Sequence, residues 1–325
     1  MTNFQVYKKT LFFSFISFLV NILSLVLLFG LPVVGFVTVN NSSDKGLIGA
    51  VVGFVIGIIA CIVIKVFLIN PIKAGQVSMI MKGVTTGEIP EHVVKEGRKE
   101  VKARFLHLTA FFFVTGAIKR IFRQISNGIS RIGDAVGGNA GGAISSIASI
   151  INAGIQVLLS YLEDCCLGWV FYRKEIGTAK AACEGAAIFF KHGKTFGKNI
   201  GRIVGIGLIS FVLIGGAIMG ILYGIFSAVP GVFQTLAAEI AEAAARGDTE
   251  ISAVLTDPAM LSITIAAVGA FIVWNMIHGV LVRPFILTGV MRNFMESGIA
   301  NMPTETEMAN LSSKSSKFAK LQSKI

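Results

Sequence analysis

From Leu11 to Thr38 the chain carries no charged side chain, and this limits its fold more than any other feature. A helix of about 20 apolar residues crosses the roughly 30 Å of hydrocarbon in a bilayer, and there a helix satisfies its own backbone hydrogen bonds. A cleaved signal peptide has an apolar core of only about 7 to 15 residues, so this run reads as a permanent span. Comparable apolar runs cover residues 47–68, 203–229 and 259–282. With two less regular segments between residues 105 and 162, the expectation is an all-α, polytopic membrane helix bundle of about six spans with Gly-rich packing.

Composition agrees. Hydrophobic residues make up 54% of the chain and charged residues 14%, and 36 of 325 positions are glycine, too apolar for a water-soluble domain of this length. The net charge of +11 would suit nucleic acid if it were gathered on one surface, but it lies between the spans. Lys and Arg outnumber the acids in 70–104 and in 173–202, whereas 230–258 sets Arg246 against Glu239, Glu242, Asp248, Glu250 and Asp257. This is the positive-inside asymmetry of membrane proteins, and it leaves no surplus for a nucleic-acid partner. It places both termini and the basic loops in the cytoplasm, most simply at the plasma (cell) membrane, with anionic lipid headgroups as partners of those loops. The expected organisation is an N-terminal hairpin (1–70), a basic connector (71–104), a main bundle (105–291) and a polar cytoplasmic tail (292–325). The bundle includes the basic loop 173–202 and an acidic external segment, 230–258.

Within this frame, Gly53 and Gly57 suit close approach of the two hairpin helices. EHVVKEGRKEVKARF reads as a cytoplasmic helix, and VFQTLAAEIAEAAARG as an external helix ending at Gly247. The segment from Phe105 to Ile118 is short, but Ile121, Phe122, Ile125, Ile129 and Ile132 continue it as an apolar stripe opposite Lys119, Arg120, Arg123 and Arg131. It either spans and emerges as one long helix or lies flat at the interface. GGNAGGAISSIASIINAGIQVLLSYL has small residues on every face and is expected among other helices. Its amides Asn152 and Gln156, one turn apart, are either interhelical hydrogen bonds or ligand contacts. Arg283-Pro284 is expected to interrupt the last span, and the Ser/Lys-rich tail to be mobile.

HGKTFGKNIGRIVG (192–205) contains GKT, the tail of a phosphate-binding loop. Such a loop needs a glycine five residues before the Gly-Lys pair, and that position is Ile188. Gly193, Gly197, Gly201 and Gly205 instead recur every fourth residue beside Lys191, Lys194, Lys198 and Arg202. The pattern reads as a packing ridge with a cationic edge, and no nucleotide is expected. Gly216, Gly220 and Gly224 repeat the spacing, and such ridges also suit a homo-oligomer. Cys61, Cys165, Cys166 and Cys183 show no C-x-x-C spacing and no histidine at ligand spacing, so neither a metal nor a cofactor is expected. No nucleophile and base fall in a catalytic arrangement, and the chain does not read as an enzyme.

The stretch with the most chemical content is YLEDCCLGWVFY, 161–172. At 100° per residue Tyr161, Asp164, Trp169 and Tyr172 share an arc of about 140°, with Glu163 pointing away. An acid flanked by aromatic faces is what a small organic cation needs. The other reading is an interfacial aromatic belt whose acid pairs with a nearby Lys or Arg. Asn152, Gln156 and His278, the last with Asn275 on its own face, complete the candidate substrate contacts.

Three segments resemble the choline transporter-like family of polytopic membrane proteins. LTAFFFVTGAIKRIF resembles the family's span that continues as an amphipathic helix. YLEDCCLGWVFYRKEIGTAKAACEGAAIFFKHGKTFGKN resembles its aromatic-rich span, basic turn and Ala-Lys-containing helix. VWNMIHGVLVRPFILTGVMRNFMESG is similar to its final span and polar tail. The resemblance covers about residues 105–300, in spacing and residue type. The chain is far shorter than family members, half of whose spans have no counterpart here, and no substrate-contacting residue carries over. The resemblance implies facilitated movement of choline-like cations with no nucleotide consumed. Two classes of function therefore stand: a transporter or channel for a small organic cation, and a non-transporting bundle that binds lipids or partner proteins through its Gly ridges and basic loops.

Overall fold

The structure, a computed structural model, describes residues 1–40, 46–105, 114–121, 124, 160–161, 163–197, 200–246 and 253–323. Among them every regular element is helical: α1 (Asn3–Asn40), α2 (Gly46–Ile64), α3 (Asn70–Thr85), α4 (Val93–Arg104), α5 (114–121), α6 (163–172), α7 (Thr178–Gly197), α8 (Ile200–Ser210), α9 (Gly216–Ser227), α10 (Pro230–Arg246), α11 (Ala253–Thr256), α12 (Pro258–Ile277), α13 (Arg283–Ala300), α14 (Glu305–Lys314) and α15 (Ser316–Gln322). Short π-helical segments join α2 to α3 (Lys65–Ile69), α8 to α9 (Phe211–Gly215) and α12 to α13 (His278–Val282).

Four continuous helices, Asn3–Val39, Ile48–Thr85, Gly205–Ser227 and Pro258–Ala300, are long and apolar enough to cross a bilayer. The chain is an integral membrane protein built as an all-α bundle. The further spans expected between residues 105 and 162 lie largely outside the described residues. Three of the four helices hold 37, 38 and 43 residues. At 1.5 Å per residue they are about 55 Å or longer, well beyond the hydrocarbon thickness.

The described chain divides into two compact units, Met1–Val204 with Arg283–Ile325, and Gly205–Val282. In the first, burial changes sharply along single helices. On α1, Val6, Thr10, Phe13 and Ser14 are buried, whereas Leu19, Val26, Phe29, Val33 and Phe36 are exposed. On the helix running from α2 into α3 the order reverses: Val51, Ile59, Phe67 and Leu68 are exposed, and Ala74, Val77, Met79 and Ile80 are buried. Exposed apolar side chains belong against lipid. The unit is therefore an α1–α2 hairpin for the membrane, standing on a packed helical base.

Glycines set the hairpin's closeness. A β-carbon at Gly49 would meet the Gly35 carbonyl oxygen at 2.1 Å, and one at Gly53 would meet that of Leu31 at 2.2 Å. In the base, the ring of Phe13 fits against Gly75 of α3 and Gly97 of α4, where a β-carbon would come within 2.9 and 2.5 Å of it. Gln76 binds α1 through the Ser14 hydroxyl at 2.7 Å. Arg104, at the end of α4, donates to the carbonyls of Arg173 (2.8 Å) and Ile176 (2.9 Å) and so holds the turn after α6.

The C-terminal residues are folded, contrary to the expectation from their composition. Thr304 and Glu307 form a reciprocal capping box at the start of α14. Met308, Leu311, Phe318 and Leu321 are buried, and Lys191 of α7 pairs with Glu307 at 2.9 Å. Four buried apolar side chains at helical spacing outweigh the polar average.

The second unit packs α12 against α9 and α10 around Phe233, Ala237 and Leu261. Asp257 caps α12 by accepting from the Ala259 and Met260 amides at 2.8 and 3.0 Å. The glycine ridge of α9 differs from that of α2: at Gly216, Gly220 and Gly224 an added β-carbon would find no described atom within 4 Å. Of the ridge expected over 193–205, residues 193–197 lie in α7 and residues 200–205 in α8, and residues 198–199 are outside the described residues.

Arg283-Pro284 does not stop the last helix. A proline cannot donate to the carbonyl four residues back, and its ring crowds that carbonyl. A π turn ahead of it widens the helix and makes room. The same device stands before Asn70-Pro71. The agreement extends further. The shift that carries Lys65–Ile69 onto His278–Val282 also carries the end of α2 onto the end of α12, Pro71 onto Pro284 and Pro90 onto Pro303. It carries buried Phe105 onto buried Phe318 as well. The chain thus holds one unit twice: span, π turn, proline, packed helix, proline turn, short helix.

Candidate functional site at the membrane boundary

The π turn before Pro284 delivers Arg283 to the place where exposed apolar surface gives way to the packed base. Its Nη2 donates to Asp164 Oδ2 at 2.9 Å, and its guanidinium carbon lies 5.7 Å from the centre of the Tyr161 ring. Tyr161 and Asp164 sit three residues apart on one helical face, so they reach the same group. An acid and an aromatic face do converge on an organic cation here, and that cation is the protein's own arginine. Lys73 is within electrostatic reach of this pair and also of Lys65 and Lys119, and all three lysines are exposed. The boundary therefore carries a cluster of cations around Lys73.

Trp169 and Tyr172 belong to another arrangement. Trp169 is fully buried, its Nε1 donates to Glu184 Oε2 at 3.1 Å, and its ring packs edge-on against Phe294 at 6.4 Å. Tyr172 leans on it at 5.3 Å. Arg173 Nη1 meets the same Glu184 carboxylate at 3.0 Å and Arg173 also pairs with Glu175. Burial works against the charge on Arg173, but its hydrogen bonds to Glu175 and Glu184 outweigh that and raise its pKa. Glu184 is thus a buried carboxylate answered by an indole N–H and a guanidinium. The expected four-residue face is split into two pairs with different partners.

Glu184 and Arg283 were missed by the sequence reading. Glu184 is the lone acid among small residues in KAACEGAA, a signal that it turns inward with a partner. Arg283 is 119 residues from Asp164, and nothing local announces the pairing.

His278 lies in the second unit, where its ring is 5.2 Å from that of Trp274. Trp274 in turn packs edge-on to Phe211 at 4.9 Å, so two π segments meet at one aromatic cluster. Asn275 donates to the Phe271 carbonyl of its own helix at 2.9 Å. Asn152 and Gln156 lie outside the described residues. His192 to Thr195 are helical, within α7.

Cys165, Cys166 and Cys183 are buried free thiols, and burial pushes the Cys183 thiol up to about 12. They pack as small apolar groups. Among the described residues no group of three or more His, Cys, Asp or Glu side chains is placed to hold a metal ion. No family model, curated protein or solved structure matches this chain.

Proposed function

We propose that the chain is a non-transporting membrane module whose boundary cations bind anionic lipid headgroups. One observation carries this reading: Lys73 lies within reach of the Arg283–Asp164 pair and of Lys65 and Lys119, and all three lysines are exposed at the level where lipid-facing side chains end. Asp164 is committed to Arg283, so the lysines are left to phosphate. A lysine near an anionic surface contributes about 1 kcal/mol, and long lysine stems reach headgroup depth from the helix. The base holds Met1 and the C-terminal helices alike, with Arg292 donating to the Met1 carbonyl at 2.8 Å. Both ends of the chain pack into this base, and the charge bias supports reading that side as cytoplasmic, at a plasma membrane.

The test compares wild type and a Lys73→Gln, Lys119→Gln variant in nanodiscs of phosphatidylcholine with and without phosphatidylglycerol. Phosphatidylglycerol should raise the melting temperature of wild type, and the variant should lose most of the gain. Equal gains in both proteins refute the reading.

A second reading, facilitated movement of a choline-like cation, draws support from Tyr161 and Asp164 already holding a guanidinium. An incoming cation would have to displace Arg283. Uptake of labelled choline by reconstituted vesicles separates this reading from the first.

A further inference from the structure

The duplication places two equivalent helices, α3 and α13, against each other in the base, with α6 laid across both. Gly168 marks the crossing: a β-carbon there would come within 2.7 Å of Met291 and 3.7 Å of Met81. The two sides of this crossing are finished differently. On the α13 side, Met291, Phe294 and Met295 are buried, and Gly298 admits the Trp169 ring so closely that a β-carbon would lie 2.7 Å from it.

The register of the repeat puts Ser78, Met81, Lys82 and Thr85 at those same four positions on α3. Here no tryptophan enters. The space is a cavity of about 500 Å³, within the range of small-molecule pockets. Its walls also include Phe171 and Tyr172 of α6, Ile299 of α13 and the Lys174–Glu100 ion pair, closed at 2.7 Å.

We propose that this cavity binds a small organic anion, a carboxylate or phosphate head on a short apolar body. Among the described residues Glu100 is the only carboxylate lining it, and that group is neutralised by Lys174. The charge left facing the cavity is the ammonium of Lys82. Thr85 and Thr86 commit their hydroxyl protons to α3 carbonyls, the latter to Lys82 O at 2.8 Å. Among the described lining residues the side-chain donors left uncommitted are therefore Lys82, Ser78 and Tyr172. Phe171, Met81 and Ile299 supply the apolar wall. One copy of the repeat has packed this position shut with methionines and an indole, whereas the other has kept it open and made it polar. The site is separate from the boundary lysines and stands whether or not those bind lipid.

The test uses the full chain in phosphatidylcholine nanodiscs, titrated with hexanoate, with hexyl phosphate and with inorganic phosphate. Saturable one-to-one binding is expected for one of the two amphiphilic probes, and the preferred one identifies the head. Inorganic phosphate should bind more weakly than hexyl phosphate. Lys82→Gln should weaken binding about tenfold or more, Lys82→Arg should retain it, and Ser78→Met, which installs the residue of the other copy, should abolish it while the melting temperature holds. Lys73→Gln should leave binding unchanged. The proposal is overturned if neither amphiphile saturates, if Lys82→Gln binds as wild type does, or if Lys73→Gln removes the binding instead.

Discussion

Arg283 and Asp164, joined through a 2.9 Å ion pair, tie the last membrane helix to α6. Both side chains keep partial exposure, 35% and 27%, so the pair is screened but fixed by its hydrogen bond. A charge-assisted hydrogen bond of this kind contributes about 1.5 to 3 kcal/mol before screening. Asp164→Asn and Arg283→Gln should each lower stability by about 1 kcal/mol, and the double variant should cost no more than the larger single loss. Thermal unfolding in detergent reads the cycle, and additive losses would mean that the two residues act separately.

The two glycine ridges should respond oppositely to substitution. Gly53→Ala drives a β-carbon toward the Leu31 carbonyl and should cost about 1 to 3 kcal/mol, the range for forced overpacking. Gly220→Ala meets no described atom and gains helix propensity, so it should be neutral or stabilising by up to about 1 kcal/mol. A destabilised Gly220→Ala would show that this face is occupied in the membrane.

Removing the Glu184 carboxylate leaves Arg173 and the Trp169 indole without their shared acceptor. Glu184→Ala should cost about 3 kcal/mol, as for other buried pairs broken on one side. Trp169→Phe should cost less and shift the tryptophan fluorescence of the base. A loss below about 1 kcal/mol for Glu184→Ala would place the carboxylate in water.

Acid should loosen the C-terminal helices first. The Thr304 amide and then Lys191 hold the Glu307 carboxyl below its usual pKa. A carboxyl depressed in the folded state adds stability that is complete above the ordinary value of about 4.3 and is lost as pH falls through the folded value. Amide exchange in α14 should therefore quicken below about pH 4 before exchange in α3 does, and Glu307→Gln should remove that pH dependence.

Local patterns were legible in the sequence, and distant pairings were not. The uncharged run at Leu11–Thr38 announces a helix because every backbone group in lipid must be bonded within it. It does not announce that the helix begins at Asn3 and buries Phe13 in the packed base, since Phe13 has the same composition whether it meets lipid or Gly97. Asp164 and Tyr161 could be placed on one face from helical spacing alone, but their partner Arg283 is distant in sequence. The tail misled for a related reason: Met308, Leu311, Phe318 and Leu321 are few, yet they fall on one side. The repeat stayed hidden because few residues are shared between its copies, among them the two prolines and Phe105 with Phe318.

That repeat sets two equivalent helices, α3 and α13, side by side in one polypeptide. In an association of identical chains each residue must serve in two settings at once, so a polar group gained by one side is imposed on the other. Joining the copies in one chain removes that constraint. Lys82 can stand where its counterpart is Met295, and Ser78 where its counterpart is Met291, without altering the half that keeps the fold closed. One half can then serve as the scaffold while the other is free to acquire chemistry.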